Sequence, residues 1–459
     1  MRNNIITMTD SYKLTHWTQY PHKTEEVYSY FEARKGAKYN KTVFFGLQYL
    51  LKEYLTGKVV RAADITEAAE LCKQHFGSEK IFNVKGWEHI LHKHGGQLPV
   101  RIKAVPEGTP VEIDNVMMTI ENTDPECFWL TNHLETLLTH VWAPSTVATL
   151  SREVKMMIDH YLDQTAEHKG TLPFMLHDFG YRGVSSVESA GICGAGHLIS
   201  FLGTDTIRAM EVAKEYYGAK DAVAFSVPAT EHSVMTSLGP DLECDLTAAI
   251  LHDYPTGIVS IVIDSYDYMR FIEKMYTQRA DEILNRDGKV VFRPDSGDPT
   301  TTTLEVVEKL GELFGYTTNK KGFKVLNPKV GVLWGDGIDY QGIRSILFTL
   351  QLGGWSAENL VFGMGGGLLQ KVNRDTQRFA FKCSAQRRNG RDYEIFKQPR
   401  DITKTSKKGK LKLIHNGEAY QTVPLHGWAG YPDHLQTVFE NGKLIKEYTF
   451  AEVRENGKL

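Results

Sequence analysis

The chain has 459 residues, 41% hydrophobic and 24% charged, with 53 basic against 56 acidic side chains and a formal net charge of -3. This balance fits a soluble globular protein and gives no electrostatic case for a nucleic-acid or anionic-membrane surface, while the length calls for two domains or one large barrel with an attached layer. The five cysteines are widely spaced with no CxxC, no signal-like leader opens the sequence and no apolar run reaches membrane-spanning length, so no disulfide framework, zinc site or membrane span is expected and the location is read as cytoplasmic.

In the first 125 residues "EVYSYFEARKG" and "PVRIKAVPEGTPVEI" carry the alternating, β-branched and aromatic residues of strands, with a helical stretch from Asp64 to His75 between them. "EHILHKHGG" holds His89, His92 and His94; lacking a companion carboxylate or cysteine pattern, they are read as a solvated helix end. From Pro125 to Tyr161 the pattern is helical.

Between Phe174 and Gly367, short apolar segments recur: "FML", "LISFL", "AFSV", "IVSIVI", "VVF", "VGVLW" and "LVF". Several are separated by helical spacing, as in Leu304, Val307, Leu310 and Phe314, or Ile343, Ile346, Leu347 and Leu350. This alternation predicts a parallel sheet with crossover helices. Polar and glycine residues follow each segment: His177 to Arg182, Gly203 to Asp205, Pro228 to His232, Asp264-Ser265, Arg293 to Gly297, Gly335 to Gly337 and Gly363 to Gly367. In a βα barrel such residues gather where the active site is built, although loops without function share this composition.

"LVFGMGGGLLQK" has the strand, glycine loop and helix of a phosphate site but matches neither GxGxxG nor GxxxxGK[ST]. "FRPDSGDP" places Arg293, Asp295 and Ser296 together, suited to a phosphate, a sugar or magnesium, or simply to closing a turn. From about Asn373 strand-like runs return and are expected to rejoin the N-terminal segment. In that tail Lys404, Lys407, Lys408, Lys410 and Lys412 read as a solvated face, or else as a polyphosphate rim. The expected division is residues 1–28 and 125–372 as an α/β barrel, and 29–124 and 373–459 as a mixed, mostly β domain.

The segments "TDSYKLTHW", "VYSYFEAR", "ENTDPECFWLTNHLETLL", "HDFGYRGVSS", "FLGTDT", "SVPATEHS", "RPDSG", "GDGID", "FGMGGGLLQK" and "FKCS", in this order, resemble those of the nicotinamide phosphoribosyltransferases. The resemblance implies a type II phosphoribosyltransferase: an incomplete α/β barrel plus a mostly β domain, in a homodimer with shared active sites. It implies transfer of the phosphoribosyl group of phosphoribosyl pyrophosphate to nicotinamide, giving nicotinamide mononucleotide for NAD salvage. Mg²⁺ would accompany the pyrophosphate, and ATP hydrolysis would be coupled through a phosphohistidine.

Residue by residue, the resemblance implies a nicotinamide clamp of Phe179 and a partner's Tyr12, with Arg182 and Arg293 beside it and Asp205 on the carboxamide. Asp295, Gly335 and Asp336 would meet ribose, and Gly365 and Gly366 the 5'-phosphate. Asp264 would lie near magnesium, acting mostly through pyrophosphate and water. Arg374, Lys382, Lys397 and Arg34 would reach phosphates, His232 would be phosphorylated, and Glu231 would orient its ring or tune its charge. The segment after "FEARKG" is shortened, and Ala380 replaces a serine common in the family, putting one phosphate contact in doubt. The rival readings are a nicotinate phosphoribosyltransferase, disfavoured by Asp205, and a non-catalytic pyridine-nucleotide binding or signalling protein.

Overall fold

The computed structural model describes residues 4–400 and 405–459; Lys404 lies outside them. The chain forms two compact units, one from the described parts of Met1–Thr149, Val212–Lys220 and Asn373–Lys458, the other from Leu150–Glu211 and Asp221–Val372 with the terminal Leu459. No helix among the described residues is long and apolar enough to cross a membrane.

The first unit is built on a seven-stranded antiparallel sheet. Its order is Arg391–Glu394, Phe379–Arg388, Thr24–Ala33, Asn115–Asn122, Val100–Ala104, Gln436–Glu440 and Lys443–Leu444. Thr24–Ala33 lies between a strand of the tail and one from the first 125 residues, so both chain ends share one sheet. Its last seven residues are all buried, which is why "VYSYFEA" is apolar beyond simple alternation.

Residues 125–149 and the described part of 1–28, expected with the barrel, group instead with this sheet, tied to it and to each other by side-chain hydrogen bonds. Ser29 Oγ donates to Asn132 Oδ1 (2.8 Å), Asn132 Nδ2 to Tyr20 Oη (2.8 Å), Thr9 Oγ1 to the His133 carbonyl (2.8 Å) and the Val43 amide to Thr149 Oγ1 (2.9 Å).

The helix expected at Asp64 to His75 spans Ala62–Phe76. Asp64 accepts from the Arg61 amide and Gly77, at φ 68°, ends it. A second helix, Val84–Lys93, is capped by Asn83 and buries Trp87 edge-on against Trp129 and His133.

The second unit holds six parallel strands: β1 Leu176–Asp178, β2 Gly203–Thr204, β3 Thr256–Val262, β4 Asp287–Arg293, β5 Val330–Trp334 and β6 Leu360–Met364, in spatial order β2-β1-β6-β5-β4-β3. Helices cross between them, as a parallel sheet requires. Pro299–Phe314 starts on the Asp298 cap and buries Val307, Leu310 and Phe314; Tyr340–Leu352 buries Ile343, Ile346, Leu347 and Leu350, the spacing read from sequence. Gly311 permits the first of these to pass Trp355, since a Cβ there would lie 2.3 Å from the indole.

Two apolar segments differ from the expected strands. "LISFL" is a buried turn after helix Val187–His197, and only Gly203–Thr204 pairs as a strand. "AFSV" leads into an irregular link that bridges the two sheet edges. On the β2 side Thr204 N donates to Phe225 O (3.1 Å) and Phe225 N to Leu202 O (2.8 Å); on the β3 side Ser260 N donates to Pro228 O (2.9 Å) and Thr230 N to Ser260 O (3.0 Å). Pro228 has no amide to extend a ladder, so the seventh position closes the ring without forming a regular strand. This is the incomplete α/β barrel expected from the sequence; the other unit is the antiparallel sheet.

Candidate active site

Parallel strands share a direction, so the polar residues that follow them lie at one end of the barrel. β1 delivers Phe179 and Arg182, β2 Asp205, the closing link Glu231 and His232, and β3 Asp264. β4 delivers Arg293, Asp295 and Ser296, β5 Gly335 and Asp336, and β6 the glycine loop.

Around β3 and β4 an imidazole meets carboxylates. His232 Nε2 lies 3.2 Å from Asp264 Oδ1, and Ser296 Oγ donates to Asp264 Oδ2. The Asp264 side chain is 4% exposed and that of His232 47%, so the acid is fixed and the ring faces water. Burial raises the Asp295 pKa; Arg293 opposes the rise, and Asp264 and Asp336 add to it. Glu231 accepts from Ser233 Oγ. The carboxylate that meets the His232 ring is therefore Asp264, while Glu231, expected to orient the ring or tune its charge, pairs with Ser233.

Phe179 is seated by glycine. A Cβ on Gly363 would lie 2.1 Å from its ring, and one on Gly335 3.3 Å away. The Phe179 amide donates to Met364 O (3.0 Å) and the Gly180 amide to Asp178 Oδ1 (2.7 Å). Asp178 is buried, and burial pushes its pKa up to about 6. Close packing also explains Gly367, where a Cβ would lie 2.4 Å from the Ile338 carbonyl. Gly366 differs: a Cβ there meets no heavy atom within 4 Å, leaving the start of the turn Gly366–Leu369 open.

Behind Phe179 a cavity of about 360 Å³ runs inside the barrel. Phe179, Asp205, Ser226 and Arg293 line it toward the carboxyl ends of the strands, Val291 and Val332 along β4 and β5, and Lys289 and Asn359 toward the strand starts. Ser226 Oγ donates to Asp205 Oδ1 (2.6 Å), orienting that carboxylate. Burial lowers the His177 pKa, with Asp205 opposing, so this wall of the cavity presents a neutral imidazole at pH 7. Ser226 and His177 stood in quoted segments, but nothing local distinguished them from turn residues.

The remaining expected residues belong to the antiparallel unit. Tyr12 is 56% exposed on the turn Ser11–Thr18. Burial lowers the Lys382 pKa; Glu135 opposes, while Lys397, Arg34 and Arg374 lower it further, so four of the expected cations form one basic cluster. Lys382 Nζ donates to the Phe381 carbonyl and Arg34 Nε to that of Arg378. Ala380, buried, lies two residues along the same strand from Lys382 and so on the same sheet face.

Among the described residues of the lysine run, Lys407, Lys408 and Lys410 do not form the solvated face expected. Lys407 pairs with buried Glu32 and with Asp114, Lys410 with Glu26 and Glu121, and Lys408 with Glu394, because the run lies along a carboxylate-bearing sheet. Nor are His89 and His94 merely a solvated helix end: Asp124 and Cys127, 30 or more residues onward, close on them. His92 stays exposed.

Comparison with known proteins matches this architecture. The model described as the nicotinate phosphoribosyltransferase (NAPRTase) family matches residues 174–443, and that of the nicotinamide phosphoribosyltransferase N-terminal domain residues 4–102. The chain is 46% identical over 463 residues to "Nicotinamide phosphoribosyltransferase" of Xanthomonas campestris pv. campestris, covering 98% of this chain and 97% of that protein. The protein of the same name from Acinetobacter baylyi is 36% identical, covering 99% and 97%. Among solved structures, nicotinate-nucleotide pyrophosphorylase from Pyrococcus furiosus superposes with a TM-score of 0.63 at 15% identity, covering 100% of this chain and 96% of that one. Human nicotinic acid phosphoribosyltransferase gives 0.58 at 15% identity, covering 98% and 92%. With family models spanning both ends of the sequence and relatives aligned along nearly all of it, the chain belongs to the nicotinamide/nicotinate phosphoribosyltransferase family of enzymes.

Proposed function

We propose that this enzyme transfers the 5-phosphoribosyl group of phosphoribosyl pyrophosphate to nicotinamide, releasing pyrophosphate and forming nicotinamide mononucleotide for NAD salvage. The observation that carries the choice of pyridine is Asp205, held by Ser226 and lining the same cavity as Phe179. A carboxylate accepts from a carboxamide NH₂ and repels the carboxylate of nicotinic acid. The ring stacks on Phe179, with Tyr12 of a second copy as the other face of the clamp and Arg182 and Arg293 flanking it.

Loss of pyrophosphate leaves positive charge on the ribose, so the protein fixes the sugar and stabilises the departing anion. Asp295, Gly335 and Asp336 hold the ribose hydroxyls, and Gly365 and Gly366 the 5'-phosphate. The basic cluster of Arg34, Arg374, Lys382 and Lys397, contributed within a homodimer, neutralises phosphate charge. Asp264, Asp295, Asp336 and Ser296 offer hard oxygen donors, a set that fits Mg²⁺ held mainly through substrate oxygens and water. Bound there, Mg²⁺ would neutralise charge on pyrophosphate.

His232, half exposed and facing Asp264, is the acceptor of a phosphoryl group from ATP. Nδ1 attacks the γ-phosphorus while Nε2–H points at Asp264; ADP leaves, the Nε2 proton passes toward Asp264 or water, and later hydrolysis regenerates the imidazole. Head-to-head assays of pyrophosphate release with nicotinamide and nicotinic acid test the reading, and it fails if the acid is turned over faster.

A further inference from the structure

Helix Val84–Lys93 and the turn after strand Asn115–Asn122 bring together four side chains for which the transfer reaction has no use. Trp87, 1% exposed, anchors the helix. On an ideal helix, residues five apart point about 140° away from one another. His94 escapes this because it is the first residue beyond the helix, at φ -105° and ψ 5°, and its ring comes back to within 5.8 Å of that of His89. Opposite them Asp124 caps the short turn Pro125–Cys127 through Oδ1, which accepts from the Glu126 amide (3.1 Å). That leaves Oδ2 facing both imidazoles, 2.9 Å from His89 Nε2 and 2.6 Å from His94 Nε2. The Cys127 amide donates to Asp124 O (2.9 Å), folding the thiol back to the same point. The four donor atoms all lie within 4.8 Å of one another.

We propose that His89, His94, Asp124 and Cys127 form a structural zinc site. Two imidazole nitrogens, one carboxylate oxygen and one sulfur are a donor set for a borderline-soft, four-coordinate ion, and tetrahedral bonds of about 2.0–2.3 Å place ligand atoms roughly 3.4 Å apart. The observed separations bracket that spacing, so loading requires that the imidazoles part slightly from the carboxylate and that the more widely spaced donors draw in. Asp124 and Cys127 are buried while both histidines are partly exposed, so the site is closed toward the protein and open on the side by which an ion enters.

A hydrogen-bonded hub would account for the two histidines and for Lys93, whose ammonium lies 2.9 Å from the same Asp124 oxygen, but it gives the Cys127 thiol no part. The Lys93 side chain is 57% exposed and can swing into water. Zinc would displace the thiol proton to solvent, leaving Zn²⁺ balanced by one carboxylate and one thiolate. With four protein ligands and no open position, the ion would pin the helix to the turn rather than act on substrate.

The test is Co²⁺ titration of the full-length protein after chelator treatment. One equivalent should give the intense visible bands of tetrahedral cobalt and a near-ultraviolet thiolate-to-cobalt band. Cobalt at the Asp264 cluster, which has no cysteine among its donors, would give no thiolate band. C127S should lose that band, and the H89Q/H94Q double variant, folded by circular dichroism, should bind at least about tenfold more weakly. Zn²⁺ should raise the melting temperature of the parent but not of H89Q/H94Q. Absence of cobalt binding by the parent, retention of the thiolate band in C127S, or undiminished binding by H89Q/H94Q would overturn the proposal.

Discussion

His232 Nε2 sits 3.2 Å from Asp264 Oδ1, and the other oxygen of that carboxylate accepts from Ser296. The imidazole from the closing link is thus paired to the end of β3, with β4 holding the acid in place.

If His232 is the phosphoryl acceptor, His232→Ala should separate ATP hydrolysis from synthesis: transfer continues more slowly, without stimulation by ATP. Asp264→Asn should lower both rates, by roughly 100-fold, because it removes both the ring's partner and a hard oxygen donor. Initial rates with and without ATP provide the check; stimulation that survives in His232→Ala removes the histidine from the mechanism.

Asp205→Asn keeps the shape of the cavity lining and removes its charge. The ratio of kcat/KM for nicotinamide to that for nicotinic acid should fall roughly 10- to 100-fold, corresponding to about 1.5–3 kcal/mol for a hydrogen bond to a charged group. Ser226→Ala, which frees the carboxylate to rotate, should move the ratio in the same direction by less. An unchanged ratio in Asp205→Asn would mean that the pyridine is selected elsewhere.

Two glycines of one loop should fail differently. Gly363→Ala forces a methyl group to 2.1 Å from the Phe179 ring, so it should cost about 1–3 kcal/mol of stability and raise the KM for the pyridine. Gly366→Ala meets nothing within 4 Å and should melt like the parent while raising the KM for phosphoribosyl pyrophosphate. Thermal melts beside KM values for both substrates distinguish the two; a melting loss in Gly366→Ala as large as that in Gly363→Ala would contradict the packing argument.

Asp178 makes stability depend on pH. Its folded pKa, raised by burial to about 6, exceeds the ordinary value of 3.8. The stabilising contribution is therefore full below about pH 4 and is lost as pH rises through about 6, because the unfolded chain releases this proton first. Asp178→Asn keeps an acceptor for the Gly180 amide without the charge. Its stability relative to the parent should improve between pH 4 and pH 7 by about 2–3 kcal/mol. Melting curves across that range test the sign, and a constant difference would show that Asp178 stays ionised throughout.

Much of the barrel is legible in the chain because its signals are local. Helix faces repeat every three or four residues, as at Ile343, Ile346, Leu347 and Leu350, and polar residues punctuate the strands that precede them. Since parallel strands share a direction, Phe179, Asp205, His232, Asp264, Asp295 and Asp336 can be assigned to one end of the barrel before any distance is known. Where the local signal was ambiguous, the reading departed from the fold. "LISFL" is apolar because a turn is buried, not because it pairs, and Pro228 makes "AFSV" lead into an irregular closure.

What sequence by itself determined, then, was which residues bear chemistry and which face or end of an element carries them. Tertiary structure alone decided their partners. Asp264 rather than the adjacent Glu231 meets His232, Lys407 finds buried Glu32, and Asp124 and Cys127 close on His89 and His94 from 30 or more positions away. The physical reason is range: periodicity and turn chemistry act over a few bonds, whereas these pairs form only when packed helices and ordered strands bring distant segments within hydrogen-bonding distance.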